Sequence, residues 1–136
     1  MTESDIQKGI CEYLEMRSVI FWRQNNAPVY DSAKGVFRKR GKWQAIGISD
    51  IIVILPSISL FIEVKTPKGK QSKDQMTFEK AVMSSGACLY QIVTSVDEVR
   101  LIFDKCIGKE YLIDKEYQTG VREYKDYIAR KEAGLV

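Results

Sequence analysis

The 136-residue sequence contains no histidine. That removes every mechanism needing a histidine base, nucleophile or metal ligand. The three cysteines, Cys11, Cys88 and Cys106, are odd in number, widely spaced and without a CxxC pair. Such spacing supports neither a zinc site nor a disulfide framework and implies reduced thiols in a cytosolic protein. No apolar run approaches the roughly 20 residues of a membrane span. The opening Met1-Thr2-Glu3-Ser4-Asp5 lacks the basic-then-apolar order of a signal peptide. The expectation is a cytoplasmic chain without a membrane partner. Its chemistry is left to carboxylates, lysine, tyrosine or thiol, and carboxylate oxygens favour hard cations such as Mg²⁺ or Mn²⁺.

What the sequence does contain is ordinary in bulk and uneven in detail. Its length favours a single domain over 1–136, with a core at about 3–105 and a C-terminal extension over 106–136. A hydrophobic share of 45% and a charged share of 29% suit a globular protein. The net charge is only +3, but Lys34, Arg38, Lys39, Arg40 and Lys42 fall in one segment, and Lys65, Lys68, Lys70 and Lys73 in another. Clusters of this kind suit a phosphate backbone, and equally an ordinary solvated surface. Tyr30 and Trp43 interleave with the first cluster, where they suit contact with sugar and bases or serve as local core beneath a loop.

Periodicity supplies the elements. Residues 3–17 form an expected helix capped by Thr2, with Ile6, Ile10, Tyr13 and Leu14 on one stripe. Glu3 projects into that stripe beside Gln7. That direction is unusual for an acid, although first-turn acids are also favoured by the helix dipole. A strand follows at 19–23, then a polar loop and a loose hairpin with Val36-Phe37 as one arm. Ile51-Ile52-Val53-Ile54-Leu55 and Leu60-Phe61-Ile62 read as buried strands joined by a turn at Pro56–Ser59. Ser72 and Gln75 form a capping box opening a helix to about Ser85. A strand at 88–93, a helix from Ser95 to about Lys105 and a helical tail near 119–132 complete the order. The main elements run α-β-β-β-α-β-α, an α/β class with a small mixed sheet between helices.

The concentrated chemistry lies at the central strands. Glu63 and Lys65 share one strand face because side chains alternate. Asp50 joins them only if it pairs opposite Glu63 or Lys65. This requires an even-numbered turn centred on Pro56-Ser57 or on Ser57-Ile58, since a one-residue slip reverses the face. Two carboxylates there can hold a divalent cation, with the Val64 carbonyl as a third oxygen and Lys65 offsetting charge on a phosphate. A buried ion pair without a catalytic role is the alternative, but such pairs are costly.

Gly47-Ile48-Ser49-Asp50, Phe61-Ile62-Glu63-Val64-Lys65 and Ser72-Lys73-Asp74-Gln75, in this order, resemble the PD-(D/E)XK nuclease superfamily. They resemble more closely its VRR-NUC branch, whose small stand-alone members occur in phages and prophages. The likeness spans roughly residues 3–95. It implies a restriction-endonuclease-like core and a Mg²⁺- or Mn²⁺-dependent deoxyribonuclease acting on DNA. Asp50 and Glu63 would be metal ligands with the Val64 carbonyl, and Lys65 the catalytic lysine. Gln75 would lie at the site, Glu3 would match the acid supplied by the first helix, and Gln7 would accompany it. Arg23 and Asn25 would approach substrate, with Lys68 and Lys73 nearby. Ser49 stands where the superfamily motif often has proline. By analogy the chain would act as a homodimer on four-way (Holliday) junctions, a nickase, a flap nuclease or an inactive DNA-binding module being the alternatives.

Overall fold

The computed structural model describes residues 1–24, 30–37 and 42–136. Helix α1 (Glu3–Met16) starts where Thr2 caps it: the Thr2 hydroxyl accepts from the Asp5 N–H, and the Asp5 carboxylate accepts from the Thr2 N–H. The expected apolar stripe buries Ile6, Ile10 and Leu14. Strand β1 (Ile20–Arg23) follows. A separate two-stranded hairpin joins β2 (Tyr30–Asp31) to β3 (Val36–Phe37). Next come β4 (Ile51–Ile54), β5 (Ser59–Val64), α2 (Lys73–Met83), β6 (Cys88–Val93) and α3 (Val96–Lys105). The chain ends in α4 (Glu110–Ile113) and α5 (Lys115–Glu132).

The main sheet has the order β1-β4-β5-β6. The first two pairings are antiparallel and β5–β6 is parallel, with α2 crossing between them. This is the small mixed sheet expected. The β4–β5 register pairs Ile51 with Ile62 and Ile54 with Ser59, and the Leu55 N–H donates to the Ile58 carbonyl. The turn is therefore centred on Pro56-Ser57. It is tighter than the expected Pro56–Ser59, because the strand resumes at Ser59.

The period-2 alternation then sorts the faces. Ile51, Val53, Leu60, Ile62, Val64 and Val93 meet Ile6, Ile10 and Leu14 of α1 and Val99, Ile102 and Phe103 of α3 in one core. Each such side chain contributes about 1.5–3 kcal/mol through burial. The opposite face carries Phe61 and Tyr90 beneath α2, with Phe78 between their rings at centroid distances of 5.9 and 6.4 Å.

Four elements lie outside the expected seven-element order: β2 and β3, which form a sheet of their own, the one-turn α4, and α5, the expected helical tail, which begins at Lys115 rather than near 119. Two-residue strands and a single helical turn are too short to show a period. The C-terminal helices are tied to the domain. Tyr111 is only 3% exposed and joins the core. The Tyr117 hydroxyl accepts from the Ile20 N–H and donates to the Ile54 carbonyl, bridging a β1–β4 residue pair. Gln118 donates to the carbonyls of Ser18 and Tyr111. Among the described residues no helix is long and apolar enough to cross a membrane.

Candidate active site

The β4–β5 register carried one residue further sets Asp50 opposite Glu63, so the two carboxylates share the face that α2 covers. Asp50 Oδ2 accepts from the Val64 N–H at 2.8 Å, which holds its carboxylate across the end of β5. The Asp50 carbonyl accepts from the Gln24 N–H at 2.7 Å. Glu63 is 2% exposed. Its Oε1 accepts from Gln75 Nε2 at 2.7 Å, whereas Oε2 is buried without a hydrogen-bond partner among the described residues.

Gln75 bonds to both the helix cap and Glu63. Its Oε1 accepts from the Ser72 N–H at 2.8 Å, closing the capping box of α2. The amide orientation is fixed by that bond, so Nε2 must point away from the cap, and it points at Glu63. A helix cap thus orients a donor onto a buried carboxyl.

The backbone of Gly47 explains how α2 is brought so close. Gly47 has φ +74, and a Cβ there would stand 2.3 Å from the Asp74 carbonyl oxygen and 2.8 Å from the Gln75 nitrogen. Only glycine fits both the left-handed conformation and the contact. The strand-entry loop carrying Asp50 is therefore seated on the first turn of the helix carrying Gln75. The motif glycine was visible in the sequence, but its contact partner lay 27 residues away.

Burial is the main cause that pushes the Glu63 carboxyl from 4.5 to about 8, and the nearby Asp50 carboxylate adds to it. Lys65 opposes the rise, and Glu3 contributes to it most weakly. The Lys65 N–H continues the β5–β6 ladder to the Val93 carbonyl, so its backbone is fixed too. Tyr90, unremarked in the sequence, belongs to the same neighbourhood. Burial drives its phenol up to about 12, with smaller contributions from Glu63, Glu79 and Asp50. An isolated tyrosine in an apolar strand carries no signal for this.

The remaining anticipated residues are placed differently. Arg23 pairs with Ile51 and lies on the face opposite Asp50; its Nε donates to Gln7 Oε1 at 2.7 Å. Lys73, the first residue of α2, and Lys68, in the turn after β5, are both exposed. Asn25 lies outside the described residues, as do Arg38, Lys39 and Arg40 of the basic segment.

Among the described residues no group of three or more Asp, Glu, Cys or His side chains could hold a metal ion. The donor set is two carboxylates with the Val64 backbone. That suits a Mg²⁺-like cation, which commonly takes one or two carboxylates and keeps water or substrate oxygens for the rest. Glu63 Oε2, buried against a second carboxylate with no other partner among the described residues, is the feature such a cation would satisfy.

A mixed four-stranded sheet flanked by helices, with an acid pair and a lysine at the end of its central hairpin, makes this a mixed α/β domain. The sequence matches no protein-family model and no curated protein sequence. Among solved structures, a chain described as a VRR_NUC domain aligns with a TM-score of 0.56 at 20% identity. The alignment covers 78% of this chain and 99% of that one. The protein has the VRR_NUC fold.

Proposed function

We propose that this chain is a divalent-metal-dependent DNA endonuclease that hydrolyses phosphodiester bonds, with Asp50, Glu63 and the Val64 carbonyl as the metal site. The observation that carries the reading is the pair of acids at one desolvated place, Glu63 buried against the Asp50 carboxylate, in a fold shared with a VRR_NUC domain. A bound Mg²⁺ or Mn²⁺ would supply an activated water and a Lewis acid for the developing oxyanion. The chain's own residues do the rest. Gln75 holds Glu63 in one orientation, and the Val64 N–H holds Asp50. Lys65 offsets negative charge on the phosphate, and Glu3 adds a carboxylate from α1. Lys68 and Lys73, both exposed beside the site's flanking segments, suit the DNA backbone. Arg23 and Asn25 complete the proposed substrate contacts.

The whole chain acts as one domain in the cytoplasm, where its three thiols stay free. Four-way junctions are the proposed substrate and a homodimer the proposed assembly, since two symmetric sites suit paired cuts in opposed strands. The test is cleavage of labelled four-way junction, flap and linear duplex DNA with Mg²⁺ or Mn²⁺, comparing wild type with Glu63→Ala. Junction cutting that disappears in the variant and in EDTA supports the proposal. Preferential flap cutting or single-strand nicking moves the substrate to the alternatives. Failure to cut any DNA, with binding unchanged by the substitution, replaces the nuclease with a binding module.

A further inference from the structure

The excursion between β1 and β4 leaves and re-enters the sheet at the candidate site, because its two ends are joined by the Gln24 N–H to Asp50 carbonyl bond. Trp43 lies four residues before Gly47, whose backbone is seated on the first turn of α2, so a base stacked on its ring is held within about 15 Å of that seat. Over residues 30–46 the excursion carries Lys34, Arg38, Lys39, Arg40 and Lys42 against Asp31 alone. That net charge of +4 exceeds the +3 of the whole chain, so the rest of the protein is slightly negative.

The same excursion displays aromatic rings. Trp43 is 89% exposed, with the Lys42 ammonium 4.9 Å from its ring centre. Tyr30 and Phe37 pair across the hairpin at a centroid distance of 5.3 Å, yet are 56% and 63% exposed. The hairpin tip is a built turn. The Asp31 carboxylate accepts from the N–H groups of Ala33 and Lys34, and Gly35 takes φ +67. Cross-strand packing accounts for the Tyr30–Phe37 pair as a local stabiliser. It does not account for Trp43, and the exposure of all three excludes their use as core beneath the loop. Large exposed aromatics amid cations are the combination that binds unpaired nucleotides: phosphates meet the cations and bases stack on the rings.

We propose that Trp43, with the Lys42 ammonium over its exposed ring, stacks on an unpaired nucleotide and so directs the site toward DNA with single-stranded or unstacked bases. This deepens the nuclease reading and rests on it for the word substrate, though the binding itself can be measured without cleavage. The experiment uses the full chain in EDTA, with Trp22→Phe leaving Trp43 as the sole tryptophan. The probes are an oligo-dT strand and a blunt duplex. Trp43 emission is expected to be quenched by oligo-dT and little changed by duplex. Trp43→Ala, in the otherwise wild-type chain, is expected to lose roughly 5- to 150-fold in oligo-dT affinity and to keep its duplex affinity. Equal oligo-dT binding by wild type and Trp43→Ala, or equal losses on both probes, would overturn the stacking role. Quenching without any metal-dependent cleavage would overturn the nuclease reading and leave the stacking intact. Cleavage with Trp43→Ala indistinguishable in binding would do the reverse.

Discussion

Without divalent cations, the folded protein is expected to lose stability as pH rises from 5 to 9, and Glu63→Gln is expected to abolish that loss. The Glu63 carboxyl sits beneath α2 at 2% exposure, and burial with Asp50 alongside raises it from 4.5 to about 8. An acid whose pKa rises on folding holds its proton more tightly in the folded chain. Its contribution to stability is complete below pH 4.5 and is lost as pH climbs through about 8. Each pKa unit corresponds to about 1.4 kcal/mol, and the attraction of Lys65 is already included in the net rise. The loss across this window is therefore roughly 2–5 kcal/mol, the lower end allowing for relaxation and water entry. Glutamine at position 63 resembles the protonated carboxyl: its carbonyl can still accept from Gln75 Nε2, and its amide can face Asp50. Urea denaturation in EDTA at several pH values gives the difference between the two proteins, cancelling carboxylates common to both. The variant should match wild type near pH 5 and exceed it at pH 9. A difference that stays flat across this range would show that Glu63 ionises freely, and would refute the burial argument. Saturating Mn²⁺ should restore wild type at high pH, by about 2.7 kcal/mol at a hundredfold excess over Kd, and should stabilise Glu63→Gln by no more than about 1.4 kcal/mol.

Three further outcomes follow from local geometry. Gly47→Ala would combine a left-handed φ with a Cβ 2.3 Å from the Asp74 oxygen; a loss of roughly 2–4 kcal/mol is expected by thermal or urea unfolding, and an unchanged midpoint would refute the contact. Gln75→Glu keeps an acceptor for the Ser72 N–H but sets a carboxylate against Glu63; α2 stability should hold at low pH and fall at high pH, whereas Gln75→Ala should cost about 0.5–2 kcal/mol of cap at any pH. Tyr117→Phe removes the hydroxyl between the Ile20 N–H and the Ile54 carbonyl and should cost about 1–3 kcal/mol; a neutral variant would mean that water replaces the bridge.

The parts of the site legible in the sequence are those set by short-range rules. Two apolar runs around Pro56-Ser57 determine a hairpin, and period-2 alternation then makes the placement of Asp50 opposite Glu63 a matter of turn parity. Ser72 and Gln75 announce a helix start from spacing alone. The seat of Gly47 on the α2 turn, the position of Tyr90 near the carboxylates and the Arg23–Gln7 bond depend on tertiary packing, which local pattern does not encode. The C-terminal segment was least legible for the same reason. Tyr111 and Tyr117 stand in a stretch rich in Lys and Glu, yet one is buried in the core and the other bridges two strands. Trp43 illustrates the converse: its sequence context left core and contact surface open, and only its exposure separates them.

The most direct measurement is equilibrium Mn²⁺ binding, followed by the electron paramagnetic resonance of free Mn²⁺, for wild type, Asp50→Asn, Glu63→Gln and Lys65→Ala. Wild type and Lys65→Ala are predicted to bind Mn²⁺, and each carboxylate variant to bind at least roughly tenfold more weakly, a difference of about 1.4 kcal/mol. Mn²⁺ binding that is absent from wild type, or equal in all four proteins, would contradict the assignment of Asp50 and Glu63 as the metal-holding pair.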